Sequence, residues 1–352
     1  MPKRDLLITR VTEFLHLVEH RHMWIQTHDI PDPDALASAE ALRLIARQFG
    51  ITARIVSNGL PHRRENNALI KECKIHVRLL DTVRISSPSH YAWVFIDCLP
   101  GGGNVTLHQM APGDIFMAID HHSKPDPEMK DNPHAYIIAD HTVGATSTLL
   151  GKLLFRLNTP FPPRLASALS YAIITDTQDF SRGASKDDLN IYSALFPYAN
   201  QKIISRLRNV TKSRQYFRTM HTTLENAYFY RYVSWVFLGE VASGENVAEI
   251  ADFILSCERI TWSLALGYKY DKLFISIRAS QAKSHCARVI SRIVRGFRGV
   301  VGGHNELAGG FILFDSTEDP GEIAHTVIKR FIRFVIRLPK SADDPVGTPF
   351  VD

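Results

Sequence analysis

Residues 116–122 read FMAIDHH and residues 93–97 read WVFID; in each, four apolar residues run unbroken into an aspartate. A strand with one wet face would alternate polar and apolar side chains, so such a run predicts a strand buried on both faces. Trp24–His28 reads as a strand that ends in polar residues and Ile51–Ser57 as a second strand, and a helical stretch, Ala35–Phe49 closed by Gly50, lies between them. Helices are also predicted over Gly144–Leu157 and Leu165–Thr175. Short apolar strands separated by helices predict an α/β domain with a parallel sheet. In folds of this kind ligands bind beyond the carboxyl ends of the strands, where these segments place their polar residues.

At about 150 residues per domain, 352 residues suggest two domains. A second α/β unit is predicted from strands at Tyr232–Leu238, Ile260–Tyr268, Lys272–Arg278 and Ala308–Phe314, with helices at Asn246–Cys257, Ser284–Val294 and about Asp319–Arg337. The expected organisation is a first domain over 1–189, a basic helical connector over 190–231, a smaller domain over 232–338 and a disordered Pro- and Asp-rich tail over 339–352. The composition, 45% hydrophobic and 22% charged, excludes a fibrous or disordered chain. No apolar run is long enough to span a bilayer, and 1–10 lacks a signal-peptide core. Four scattered cysteines without a Cys-x-x-Cys pair argue against disulfides and structural zinc, which fits a cytoplasmic location.

The net charge of +5 is unevenly spread. Residues 201–231 hold seven Lys and Arg against the single acid Glu225, and 283–298 hold Lys283, Arg288, Arg292, Arg295 and Arg298 with no acid. Such stretches are either solvated helix faces or surfaces that attract phosphates.

Chemistry-bearing residues gather at the predicted strand ends. His28-Asp29-Ile30-Pro31-Asp32-Pro33-Asp34 follows the first strand; it is an Asx turn with a helix cap or a source of ligands. Asp97 and Asp120-His121-His122 end two further strands, and Thr175-Asp176-Thr177 ends an apolar helix. Imidazoles and carboxylates without thiolates suit Mn²⁺ or Mg²⁺ better than structural zinc. Two such ions bridged by a carboxylate form a clamp for phosphoryl hydrolysis. In the second unit, Arg278-Ala279-Ser280 and the glycine-rich turn Gly302-Gly303-His304 offer anion donors, although each alone is as readily an ordinary surface feature.

Taken in order, HDIPDPDA at 28–35, Asp97, DHH at 120–122, TDT at 175–177 and GGHNELAGG at 302–310 resemble the DHH phosphoesterases with a DHH-associated C-terminal domain. Among these RecJ-like proteins, the compact length is most similar to the nanoRNase and pAp-phosphatase group. The resemblance implies two divalent ions, most readily Mn²⁺, with His28 and Asp32 on one, Asp34, His121 and Asp176 on the other, and Asp97 bridging. It implies that His122 contacts the scissile phosphate or assists the leaving oxygen, and that Asp120 orients a histidine ligand. It further implies that Arg278, Ser280, Gly302, Gly303 and His304 hold the far end of the substrate, with the active site in the cleft between the domains. Two departures, Pro33 between the aspartates and Leu307 at an alanine position, remove no ligand. The expected function is hydrolysis of short oligonucleotides or 3′-phosphoadenosine 5′-phosphate. A cyclic- or linear-dinucleotide phosphodiesterase, and a nucleic-acid-binding protein with a vestigial metal site, remain as alternatives. The expected partner is a nucleotide or short oligonucleotide substrate; no membrane is involved, and a homodimer is admitted.

Overall fold

The computed structural model describes residues 6–19, 21–61, 63–83, 91–101, 104–107, 115–122, 134–281, 283–303, 305–339 and 341–351. These form two compact units, divided between Val210 and Thr211.

The first unit is built on six parallel strands: β1 (His22–Thr27), β2 (Thr52–Ser57), β3 (Val77–Leu79), β4 (Tyr91–Ile96), β5 (Phe116–Asp120) and β6 (Ala135–Ala139), in the order β3-β2-β1-β4-β5-β6. The expected parallel sheet is present, and its apolar strands are buried on both faces. Along β4, Ala92, Val94 and Ile96 enter one core cluster while Trp93 and Phe95 enter another on the opposite face. Helices α1 (Leu6–Leu17), α2 (Pro33–Gln48), α3 (Arg64–Cys73), α4 (Thr146–Arg156), α5 (Pro163–Asp176), α6 (Lys186–Leu195) and α7 (Gln201–Arg208) complete the unit. Chain order reverses between β1 and β4, which run side by side with Thr27 opposite Ile96. A crevice at such a switch point is the standard ligand position of an open α/β sheet. The residues after β1 and β4 therefore share one edge, and these are His28 and Asp97.

The second unit is a seven-stranded mixed sheet of β7 (Ala227–Tyr230), β8 (Val233–Glu240), β9 (Trp262–Lys269), β10 (Lys272–Ala279), β11 (Arg298–Gly303), β12 (Leu307–Leu313) and β13 (Thr348–Pro349). Its order is β11-β12-β10-β9-β8-β7-β13, with only β8 and β9 parallel. Helices α8 (Arg214–Asn226) and α9 (Gly244–Leu255) accompany one core cluster, and α10 (Cys286–Ile293) and α11 (Pro320–Ile336) the other.

Two expectations are corrected. The basic stretch over 190–231 is not a separate connector. Its α7 packs in the first unit, burying Ile203 and Leu207, while α8 and β7 belong to the second. Three of its seven basic side chains are paired, Arg206 with Glu72 at 2.7 Å, Arg208 with Asp179 at 2.9 Å and Lys212 with Glu249 at 3.3 Å. Nor is the described part of the tail detached. β13 pairs with β7, and Asp344 bonds Lys329 and Arg333 at 2.5 and 2.7 Å.

Candidate metal centre

Asp32 caps α2, its Oδ1 accepting the Ala35 N–H at 3.0 Å, and Pro33 at the first helical position fixes the entry of the chain. The cap reading of this loop is thus correct, and it leaves the other carboxylate oxygen free for a ligand role. Asp29 serves the scaffold instead, accepting from Thr106 N, Thr106 Oγ1 and Asn58 Nδ2 at 2.6–2.7 Å. One turn into α2, Asp34 is buried and receives two backbone N–H groups from the start of α4, from Thr146 and Ser147, each at 2.7 Å. Asp97 sits at φ 61°, a left-handed conformation that Asp tolerates better than most residues. This kink turns its carboxylate back over the sheet edge, where Thr146 Oγ1 donates to Oδ1 at 2.8 Å.

The side chains converge in three overlapping groups whose ligand atoms lie within 4.8 Å of one another: His28, Asp32 and Asp97; Asp34, His121 and Asp176; and Asp97, His121 and His122. His28 Nε2 is 3.7 Å from Asp32 and 3.9 Å from Asp97. His121 Nε2 is 3.0 Å from Asp176, 3.7 Å from Asp97 and 3.8 Å from Asp34. The Asp176 carboxylate faces His121 Nε2 as an ion-pair partner at 3.0 Å.

Burial pushes the Asp97 carboxyl up to about 6, with Asp32 adding to the shift against three histidines. Burial likewise raises Asp34 well above the usual range, and Asp97 and Asp176 reinforce it. Burial opposes charge on His121 too, but Asp176, Asp97 and Asp34 outweigh it and hold the imidazole up at about 10. Asp32 moves the other way: burial disfavours its charge, but the adjacent His28 lowers it below its usual range. Carboxylates that repel one another in a dry site are what a divalent cation relieves.

Of the buried side-chain atoms without a hydrogen-bond partner among the described residues, two belong to this cluster, Asp97 Oδ2 and His121 Nε2. Such atoms are costly to leave unsatisfied, and both point into the cluster. The donors are oxygen and imidazole nitrogen; the one nearby thiol, Cys98, is held protonated by burial. This set fits hard or borderline divalent ions.

Asp120 Oδ1 takes the backbone N–H of His122 at 3.2 Å and lies 3.0 Å from His122 Nδ1, so among the histidines it is His122 that it visibly holds. As the last residue of β5 it closes the tight turn, while His121 points the other way, toward Asp34, Asp97 and Asp176. Burial disfavours charge on His122, but Asp120 and Asp97 raise its pKa to about 9. Its side chain is 50% exposed, so this cation faces open space.

Asp176 ends α5, and the chain then makes three successive left-handed residues, Gln178, Asp179 and Phe180, at φ 47°, 55° and 63°. At roughly 1–2 kcal/mol each, this turn is held by compensating bonds. Asp179 N–H donates to Ile174 O at 2.8 Å, and Arg182 N–H to Thr177 O at 3.0 Å.

Sequence reasoning placed a helix over Gly144–Leu157 but missed what its first residues do. Thr146 and Ser147 grip Asp34 and Asp97, and the buried Asp188 anchors that helix through the Gly144 N–H at 2.8 Å and Thr148 Oγ1. A Cβ on Gly144 would lie 2.6 Å from Thr177 Cγ2 and 2.9 Å from the Gly183 carbonyl oxygen. Gly144→Ala is therefore expected to cost about 1–3 kcal/mol by overpacking. A thermal melt checks this, with weaker Mn²⁺ stabilisation expected as Asp34 shifts.

In the second unit, Arg278 is engaged: Nε donates to Asp252 Oδ1 at 2.6 Å, and Nη1 to Ser276 Oγ and Ile277 O at 2.7 and 3.0 Å. Ser280, just past β10, is exposed. Gly302 and Gly303 are not in a turn; they end β11 opposite Gly309 and Ala308, so only 304–306 remain to connect the strands. Gly303 permits that pairing, since a Cβ there would meet Ala308 Cα at 2.4 Å. His304 lies outside the described residues. Arg278 pairs with Leu307, the neighbour of Ala308, which puts Arg278 and Gly303 at the same end of the sheet.

Residues 22–173 match the DHH family, N-terminal domain. An uncharacterized protein of Methanocaldococcus jannaschii is 28% identical over 313 residues, covering 88% of this chain, which spans 62% of that protein's length. A second from the same organism is 24% identical over 338 residues, covering 91% of this chain and 97% of its own. An exopolyphosphatase-related protein from Bacteroides fragilis has a similar fold, with a TM-score of 0.72 at 18% identity over 94% of this chain and 97% of that one. RecJ from Thermus thermophilus in complex with Mn²⁺ gives a TM-score of 0.57 at 15% identity, covering 98% of this chain and 56% of RecJ. The strand-end aspartates and histidines lie in or next to residues 22–173, the part of the chain that matches the DHH family, N-terminal domain, and the fold is similar to that of RecJ.

Proposed function

We propose that this protein hydrolyses phosphoesters of short oligonucleotides and of 3′-phosphoadenosine 5′-phosphate by a two-ion mechanism. The observation that carries the reading is a pair of ligand triads, His28, Asp32 and Asp97 beside Asp34, His121 and Asp176, joined where Asp97 Oδ1 comes within 3.7 Å of His121 Nε2, with Asp97 Oδ2 and His121 Nε2 both buried and unsatisfied. His28, Asp32 and Asp97 would hold one ion, and Asp34, His121 and Asp176 the other. When bound, such ions activate water at neutral pH and neutralise charge on the phosphate. Thr146 and Ser147 keep Asp34 and Asp97 fixed, so the ligands need little reorganisation. Asp120 holds His122 by Nδ1, which leaves Nε2 to carry the proton required by a departing oxygen.

Arg278, already steered by Asp252 and Ser276, is suited to a phosphate remote from the reacting bond. Such a contact is made alike in ground and transition states, so Arg278→Ala is expected to raise KM about tenfold and leave kcat within about twofold. An unaltered KM for every phosphorylated substrate would end the anchoring role.

The deciding experiment is Mn²⁺-dependent hydrolysis across 3′-phosphoadenosine 5′-phosphate, dinucleotides, five-mers, cyclic dinucleotides and a long single strand. The highest kcat is expected on the first three. Turnover confined to the long strand would overturn the short-substrate reading, and no Mn²⁺-dependent turnover at all would overturn the hydrolase.

A further inference from the structure

The second unit holds a cavity of about 360 Å³ that the chemistry above does not use, a volume at the lower end of small-molecule sites. Its floor is the sheet. Tyr228 and Trp235 stand opposite each other on β7 and β8, their rings stacked with centroids 6.3 Å apart and planes 16° from parallel, and Phe237 continues the surface. Ala324, Ile328 and Ile332 of α11 close the other side. Asp344 and Pro345 of the tail form the third side. Gly347 then lies against the floor, where a Cβ would come 2.5 Å from Trp235 Cζ2 and 2.9 Å from Tyr228 Cβ. The apolar side chain of this part of the tail, Val346, is 89% exposed and does not line the cavity.

The helix side of this cavity carries a basic row. His325, Lys329 and Arg333 follow one another at four-residue spacing, which sets them along one side of α11 with about 6 Å of rise between neighbours. His325 and Lys329 line the cavity, and Asp344 is the sole acid among the described lining residues. Asp344 shows that this row accepts a carboxylate: Lys329 Nζ is 2.5 Å from Oδ2 and Arg333 Nη1 is 2.7 Å from Oδ1. Arg333 also donates to the carbonyls of Ala342 and Pro339, at 3.0 and 2.7 Å, so it anchors the tail by itself. The Lys329 pair lies at the surface, with Lys329 50% exposed, and exposed pairs contribute little. An outside carboxylate therefore competes for Lys329 on nearly equal terms. His325 has no ion-pair or hydrogen-bond partner among the described residues.

We propose that this cavity binds a small planar aromatic carboxylate, its ring lying on the Tyr228–Trp235 floor and its carboxylate taken by Lys329 with His325 beside it, in competition with Asp344. A flat aromatic floor selects a flat ring, since offset stacking adds to the gain from burying apolar area. An apolar pocket with a few polar groups converging at one end fixes the orientation of such an amphiphile. The site is made by the second unit alone and does not depend on the metal centre.

The test is isothermal titration calorimetry of the full chain with 2-naphthoate, its neutral counterpart 2-naphthamide, and acetate. 2-Naphthoate should bind with a Kd of about 1 mM or tighter. 2-Naphthamide should bind about fivefold more weakly, and acetate not measurably. Lys329→Ala alters an exposed side chain; it should weaken 2-naphthoate about fivefold and leave 2-naphthamide unchanged. Asp344→Asn removes the competing carboxylate and should tighten 2-naphthoate about threefold, again without effect on 2-naphthamide. Ile328→Trp fills the cavity from a partly buried position and should abolish binding of both compounds. Ile328→Phe takes its place if the larger ring prevents folding. Wild-type affinity in a folded cavity-filling variant, or no binding of 2-naphthoate to the wild type, would overturn the site. Equal affinity for 2-naphthoate and 2-naphthamide would overturn the carboxylate seat, and acetate binding as well as 2-naphthoate would overturn the aromatic floor. None of these results touches the hydrolase reading, which is tested by turnover with metal present.

Discussion

Asp97→Asn is expected to abolish metal-dependent hydrolysis, by at least about 10³-fold or roughly 4 kcal/mol of transition-state stabilisation, while leaving the apo protein no less stable than before. The fold tolerates the change, because Asn is as acceptable as Asp at φ 61° and its side-chain oxygen can keep the 2.8 Å bond from Thr146 Oγ1. The variant loses a fully buried charge with an unsatisfied oxygen. Burial raises the Asp97 pKa from 3.8 to about 6 in the folded chain, so ionising it there is penalised. That penalty grows as pH rises from 3.8 to about 6 and is constant above, which means the stability gained by Asp97→Asn should be largest above pH 6 and absent in acid. With Mn²⁺ the order reverses. The wild type should gain about 2.7 kcal/mol at a hundredfold excess of metal over Kd, whereas the variant, lacking the shared ligand, should gain little. Melting curves with and without Mn²⁺, with metal content by mass spectrometry, read both effects. Unchanged turnover and metal content would remove the shared-ligand arrangement.

This behaviour depends on residues of unequal visibility in the sequence. Asp97 and the DHH triplet were legible because each ends a short apolar run, and His28 because it ends a predicted strand; strand ends in a parallel sheet share an edge. Asp176 was legible as the carboxylate that ends the apolar helix α5. Thr146 and Ser147 were not, since they act largely through backbone N–H groups, which leave no side-chain signature; only the hydroxyls near a helix start hinted at them. α1 escaped notice although Leu7, Val11, Phe14 and Leu15 bury one face at helical spacing. The edge strand β3, three residues long, is too short to show a period. Composition also misjudged the stretch over 190–231. An amphipathic basic helix looks the same whichever unit receives its apolar face, and the Glu72 and Asp179 partners that neutralise α7 are remote in sequence.

His122→Ala is expected to lower kcat by about 10²–10³-fold while substrate still binds, the range for loss of a positioned general acid. The imidazole is the one member of the DHH triplet that faces open space, and Asp120 and Asp97 raise its pKa to about 9 against the effect of burial, so it holds a proton at neutral pH. A proton held at Nε2 stabilises a leaving oxygen only as that oxygen gains charge, so its loss falls on kcat rather than KM. The effect should therefore shrink when the leaving group needs no proton: with bis(p-nitrophenyl) phosphate the variant should approach the wild type. Asp120 is a positioning residue, and Asp120→Asn separates orientation from acidity. The amide can still accept a bond from Nδ1 but no longer supports the positive charge, so the His122 pKa falls and the alkaline limb of the kcat–pH profile moves to lower pH, with the plateau largely kept. A merely structural Asp120 would lower the plateau and leave the limb in place. If His122→Ala lost as much rate on the activated ester as on a dinucleotide, the proton-donor role would be wrong, and His122 would instead be a ligand through the third grouping with Asp97 and His121.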